Sequence, residues 1–126
     1  MAKKLIAMPC DEEKGKDSKI SQHFGHCKSF ALASIDENEK KILEVRFVKN
    51  VPHESGGCGA SVRIIAGEKP DAILVCGIGR VPFEILSRLG ITVQICSNGT
   101  VEDAVSDFVN DKVCEVKDEN LCSHHR

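Results

Sequence analysis

Ala72-Ile73-Leu74-Val75-Cys76-Gly77-Ile78-Gly79 is the stretch that decides the fold. Its unbroken apolar run reads as a strand buried on both faces, the mark of a parallel sheet rather than a solvated hairpin. Gly77-Ile78-Gly79 turns the chain, and Pro82 stands where a helix begins, with Phe83, Leu86 and Leu89 on its core face and Gly90 at its end. Ile91 to Ile95 is a further buried strand. After the turn Ser97-Asn98-Gly99, Thr100 caps another helix, with Asp103 three residues on and Ala104, Val105, Phe108 and Val109 as the buried stripe.

Upstream, Leu5 to Met8 is a short apolar strand ended by Pro9, and Phe30 to Ile35 is a second. Asp36-Glu37-Asn38-Glu39-Lys40-Lys41 is a turn, so this second strand forms a hairpin with Ile42 to Val48. In that third strand Leu43, Val45 and Phe47 alternate with Glu44 and Arg46, which suits one wet face near a sheet edge. Asp11 to Ser21 and Asn50 to Gly59 read as loops, and Ala60 to Glu68 as a helix closed by Gly67 and Pro70. The order predicts an α/β fold: a mixed five-stranded sheet with one antiparallel strand and three helices, the layout of a ribonuclease-H-like core. Residues 1–110 form one domain in this reading, and a polar C-terminal tail runs from 111 to 126.

Composition narrows the function. With 126 residues the chain has material for one core. Lys plus Arg number 17 and Asp plus Glu 19, a net charge of −2, and there is no Trp or Tyr. That balance lacks the basic footprint and the stacking platforms of a nucleic-acid binder. No apolar run approaches the roughly 18–20 residues that span a bilayer. The basic start Met1-Ala2-Lys3-Lys4 leads into an apolar run that stops at Pro9, too short for a secretion signal. The expectation is a cytoplasmic protein with neither nucleic acid nor membrane as partner. Seven cysteines are an odd number and fall below the roughly 8–10% of a disulfide scaffold, so they read as reduced thiols.

The five histidines all lie within five residues of a cysteine. Ser21-Gln22-His23-Phe24-Gly25-His26-Cys27 offers imidazole and thiol ligands from one loop, with Gly25 allowing a tight bend. His53-Glu54-Ser55-Gly56-Gly57-Cys58-Gly59 repeats the pairing, with Cys58 near a helix start that favours thiolate and glycine amides able to cradle an anion. If all strands but the second are parallel, Cys10, both loops, the Cys76–Gly79 turn and Cys96 share the C-terminal edge of the sheet, where open α/β sheets bind ligands. Candidate metal ligands are His23, His26, Cys27, His53, Cys58 and Cys10; candidate cofactor-binding residues are His23, Gly25, Gly56, Gly57, Gly77 and Gly79. Thiolate and imidazole suit zinc, iron or an iron–sulfur cluster. His23 and Cys27 also read as loop anchors, Cys76, Cys96 and Cys114 as packed thiols, and Gly77-Ile78-Gly79 as a plain turn. The Cys122-Ser123-His124-His125 tail has metal-binding composition. The strands lack the carboxylate group of a two-metal nuclease, and no CxxC pair supports a thiol oxidoreductase.

These residues resemble the dinitrogenase iron–molybdenum cofactor biosynthesis family over residues 4 to 110. The most specific match is Ser21-Gln22-His23-Phe24-Gly25-His26-Cys27 followed by Phe30. Ile6-Ala7-Met8-Pro9, Cys76-Gly77-Ile78-Gly79, Leu89-Gly90-Ile91-Thr92-Val93 and Thr100-Val101-Glu102-Asp103-Ala104 match in order. The resemblance implies a small cytosolic domain with a ribonuclease-H-like fold. It implies a carrier or scaffold, not an enzyme, that holds an iron–sulfur or molybdenum–iron–sulfur cluster in a cleft near His23 and the glycine-rich loop. Its partners would be donor or acceptor proteins of cluster assembly. The many cysteines leave a single transition-metal ion open as cargo. They also leave open a metal or redox sensor acting through a partner protein.

Overall fold

The computed structural model describes residues 3–22, 24, 27–50, 57–96, 99–110 and 112–115. The strands are β1 (Lys3–Cys10), β2 (Ser29–Asp36), β3 (Lys41–Lys49), β4 (Ala72–Val75), β5 (Thr92–Ile95) and β6 (Cys114–Glu115). The helices are α1 (Gly57–Gly67), α2 (Arg80–Arg88) and α3 (Val101–Val109). The sheet order is β3-β2-β1-β4-β5-β6. β1 is antiparallel to β2, β2 is antiparallel to β3, and β1, β4 and β5 run parallel, so the five expected strands have the expected directions.

Local chemistry sets the turns. The Asp36 carboxylate accepts from the amides of Asn38 at 2.9 Å and Glu39 at 3.2 Å and closes the β2–β3 hairpin. Thr100 and Asp103 form a full capping box on α3. At the start of β4, the Asp71 carboxylate accepts from the Leu5 amide at 2.8 Å while the Asp71 amide donates to the Leu5 carbonyl, also at 2.8 Å. That exchange docks β4 beside β1.

Alternation along β1 sorts its side chains between two cores. Ile6, Met8 and Cys10 join Ala31, Ala33, Leu74 and the α3 residues Val101, Ala104 and Val105 on one face. Ala7 joins Phe30, Leu32, Ile73 and Val75 with Val62 and Ile65 of α1 and Leu86 of α2 on the other. The sheet therefore has α1 and α2 on one side and α3 on the other. Because the chain leaves β1 for β2 and β3 and returns at β4 beyond it, β1 and β4 flank the point where the strand order reverses.

Besides shifts of a residue at several strand ends, three departures from the sequence expectation bear on the fold. β1 runs through Pro9 to Cys10, because proline keeps a strand-compatible φ and its carbonyl accepts from the Ser21 amide at 2.7 Å. α1 begins at Gly57, so Gly57-Cys58-Gly59, expected as loop, form its first turn. In the segment expected as a polar tail, Cys114–Glu115 form β6, antiparallel to β5, while Val113 packs on the α3-side core. A two-residue strand is too short to carry a periodic signal.

Candidate functional site

The strand registers place the C-terminal edge of the sheet. Cys10 ends β1 opposite Ser29, the first residue of β2, and Ser29 stands opposite Lys49, the last of β3. β1 pairs with β4 at Ile6–Ala72 and Ala7–Ile73, and past that point Ile20 bridges Cys10 on the flank of β1 away from β2. Val75 faces Ile95, so Cys76 and Cys96 follow as the next opposed positions. Cys10, Cys76 and Cys96 thus gather at this edge in the core on the α3 side of the sheet.

The segment that carries the His-Phe-Gly motif is rooted at this edge. Ile20 bridges Cys10, the Ser21 amide donates to Pro9, and the Lys28 amide donates to the Cys10 carbonyl at 3.1 Å. Between those feet, Phe24 is 1% exposed and packs its ring on Phe30, with centroids 5.4 Å apart. Cys27 is buried in the same α1–α2-side core. Asn50, one residue past β3, donates from Nδ2 to the Cys27 carbonyl at 2.9 Å and toward Cys27 Sγ at 3.7 Å, and its Oδ1 accepts from the Ser61 hydroxyl at 2.8 Å. This relay joins α1, β3 and the Cys27 segment.

The thiols differ in electrostatics. Burial pushes Cys10 up to about 12, with Asp11, Glu12 and Cys76 adding to it and a backbone hydrogen bond from Ala31 opposing it. Burial also pushes Cys27 up to about 12, with Cys10 and Asp11 adding. Cys76 is half-buried, and a hydrogen bond from the Cys96 thiol holds it below the ordinary thiol range. The same bond, with burial, drives Cys96 upward. Nearby, a hydrogen bond from Ser29, then Lys49 with its ammonium 3.0 Å away, hold the Glu13 carboxyl below its usual range.

Of the residues expected at the site, the structure brings Cys10, Cys27, Gly77 and Gly79 to this edge. Gly77 follows β4, and Gly79 is the N-cap of α2, with Ile78 buried between them as the anchor of the turn. A Cβ on Gly79 would meet only the Pro82 ring at 3.5 Å, an ordinary contact. Gly57 and Cys58 lie in the first turn of α1. His23, Gly25, His26, His53, Gly56 and the Cys122–His125 tail lie outside the described residues. Among the described residues no three His, Cys, Asp or Glu side chains are grouped to hold a metal ion. The sequence reading missed the Cys76–Cys96 contact and the Asn50 relay. The contact had a signal, since two buried strand runs each end in cysteine.

Residues 4–111 match the family model described as dinitrogenase iron-molybdenum cofactor. The chain belongs to that family. Over 110 residues it is 29% identical to the uncharacterized protein MJ0580 of Methanocaldococcus jannaschii, across 86% of this chain and 87% of that one. The crystal structure of PH0822 superposes with a TM-score of 0.73 at 27% identity, covering 90% of this family member and 96% of that chain. The apo form of the orange protein from Desulfovibrio gigas superposes with a TM-score of 0.75 at 22% identity, covering 90% and 92% of the two chains, a likeness of fold. Among the described residues no helix is long and apolar enough to cross a membrane.

Proposed function

We propose that this protein is a cytoplasmic carrier or scaffold for an iron–sulfur or molybdenum–iron–sulfur cluster, with no catalytic reaction of its own. The observation that carries the reading is the family match across residues 4–111. The sheet order, with β2 antiparallel between β3 and β1, supports assignment to the ribonuclease-H-like motif. The cluster is cargo, received from a donor protein and passed to an acceptor. His23, His26, Cys27, His53, Cys58 and Cys10 are its proposed ligands, and the amides of Gly25, Gly56, Gly57, Gly77 and Gly79 its proposed anion contacts. A single transition-metal ion fits the same donor types.

The donor chemistry fits soft metal, because thiolate and imidazole are the ligands that iron and zinc select. Burial keeps Cys10 and Cys27 protonated at neutral pH, so loading releases their protons to solvent as metal binds. Loading is therefore expected to strengthen as pH rises.

Anaerobic reconstitution of the full chain with iron and sulfide tests the proposal. Visible absorbance should appear, and Cys27→Ala and Cys58→Ala should each diminish it. If neither change matters, those ligands are wrong; if the wild-type protein takes up no metal, the carrier reading fails. Elemental analysis of protein purified without oxygen distinguishes a molybdenum-containing cargo from iron and sulfide alone.

A further inference from the structure

The pairing of β4 with β5 runs to the last residue of both strands, and the Cys96 amide donates to the Val75 carbonyl at 2.9 Å. Cys76 and Cys96 are therefore the residues that directly follow the last registered pair, held together by that hydrogen bond. Neighbouring strands lie about 4.8 Å apart, inside the roughly 4.4–6.8 Å Cα separation that a disulfide spans. Both side chains pack on the α3-side core, Cys96 buried and Cys76 half exposed. The Cys96 thiol has two acceptors within reach, the Val75 carbonyl at 3.6 Å and the Cys76 sulfur. The other described thiols of this edge are placed differently. Registered pairing of β1 with β4 stops at Ala7 and Ile73, short of Cys10, and Cys27 belongs to the opposite core.

We propose that Cys76 and Cys96 form a reversible redox site, a dithiol that closes to a disulfide across the ends of β4 and β5 by exchange with a low-molecular-weight disulfide. Cys76, the accessible member, gives its proton to solvent and its thiolate attacks one sulfur of that disulfide. The sulfur–sulfur bond breaks and one small thiolate leaves. Cys96 then attacks Cys76 Sγ, displacing the second small thiolate, which takes up the Cys96 proton. Two protein thiols and one small disulfide become one protein disulfide and two small thiols, and excess small thiol reverses the exchange. The hydrogen bond between the two thiols favours this order, since it lowers Cys76 and holds the proton on Cys96. The site does not depend on the cargo reading.

Full-length, metal-free, reduced protein treated with oxidised glutathione, alkylated and digested with trypsin provides the test. Cleavage after Arg63, Arg80, Arg88 and Lys112 puts Cys76 in peptide 64–80 and Cys96 in peptide 89–112; Lys69 precedes Pro70 and resists cleavage. The two alkylated peptides should disappear together and return as one linked species lacking two hydrogens, which dithiothreitol reverses. In Cys96→Ala the reaction should stop at a glutathione adduct on Cys76. The proposal is overturned if wild-type Cys76 links to a different cysteine or retains glutathione beside a reduced Cys96. It is equally overturned if both thiols stay free while the exposed Cys114 is modified. The decisive outcome is read on the wild-type chain, so it does not depend on a variant folding, and no cluster is present in any arm.

Discussion

Replacing Phe24 by alanine separates an anchoring residue from a ligand-bearing one inside the same motif. The ring is 1% exposed, its plane is tilted 48° to that of Phe30, and it shares a core with Cys27, Val62 and Ile65. Removing a buried phenylalanine costs about 3–5 kcal/mol in lost transfer energy and cavity formation. That is a large part of a domain stability of about 5–15 kcal/mol, so the variant folds but melts early. With about 2.1 cal/mol/K of unfolding entropy per residue over 126 residues, the midpoint should fall by roughly 11–19 °C. Phe24→Leu refills most of the cavity and should recover most of the loss. Melting followed by far-UV and near-UV circular dichroism, with coincident transitions, measures this. Because Phe24 sits between the hydrogen-bonded feet at Ser21 and Lys28, cluster loading should weaken along with stability. A midpoint drop below about 4 °C, near 1 kcal/mol, would refute the anchor.

Asn50→Ala takes the acceptor from Ser61, which is 1% exposed, and a donor from the Cys27 carbonyl. It should cost about 1–3 kcal/mol in urea unfolding and speed alkylation of Cys27; unchanged values on both counts contradict the relay. Thr100→Ala opens the capping box and should cost about 0.5–2 kcal/mol, with faster hydrogen exchange in the first turn of α3 and little change elsewhere. Cys10 and Cys27 titrate near 12 in the folded protein against an ordinary 9.0, so their contribution is complete below pH 9 and is lost as pH rises from about 9 toward 12. Urea melts across that range should show the loss, with a shallower slope in Cys27→Ala. At pH 8 iodoacetamide should label exposed Cys114 well before Cys10 or Cys27.

What the sequence makes legible is whatever a short window contains. The Asp36 turn and the Thr100–Asp103 capping box are local hydrogen-bond chemistry, and both stand in the structure where the residues place them. The buried run at Ala72 and the alternating run at Ile91, with Val93 and Ile95 spaced by Thr92 and Gln94, become adjacent parallel strands. The site is less legible because its chemistry depends on register, which no single window holds. Read alone, Cys76 and Cys96 are small apolar residues at the ends of buried strands, and packing is the correct inference for either one. Register changes the answer. The runs 72–76 and 92–96 have equal length and each ends in cysteine, so in-register pairing alone makes their last residues neighbours. The same step fails one strand further, where Ile20 is bridged to Cys10. The neighbours are not equivalent, because the β4–β5 ladder ends one residue before its cysteines while the registered β1–β4 pairing ends three residues before them. The site thus joins a hydrogen-bonded thiol pair to a third thiol in the same core, and strand pairing, rather than sequence spacing, decides which two sulfurs react.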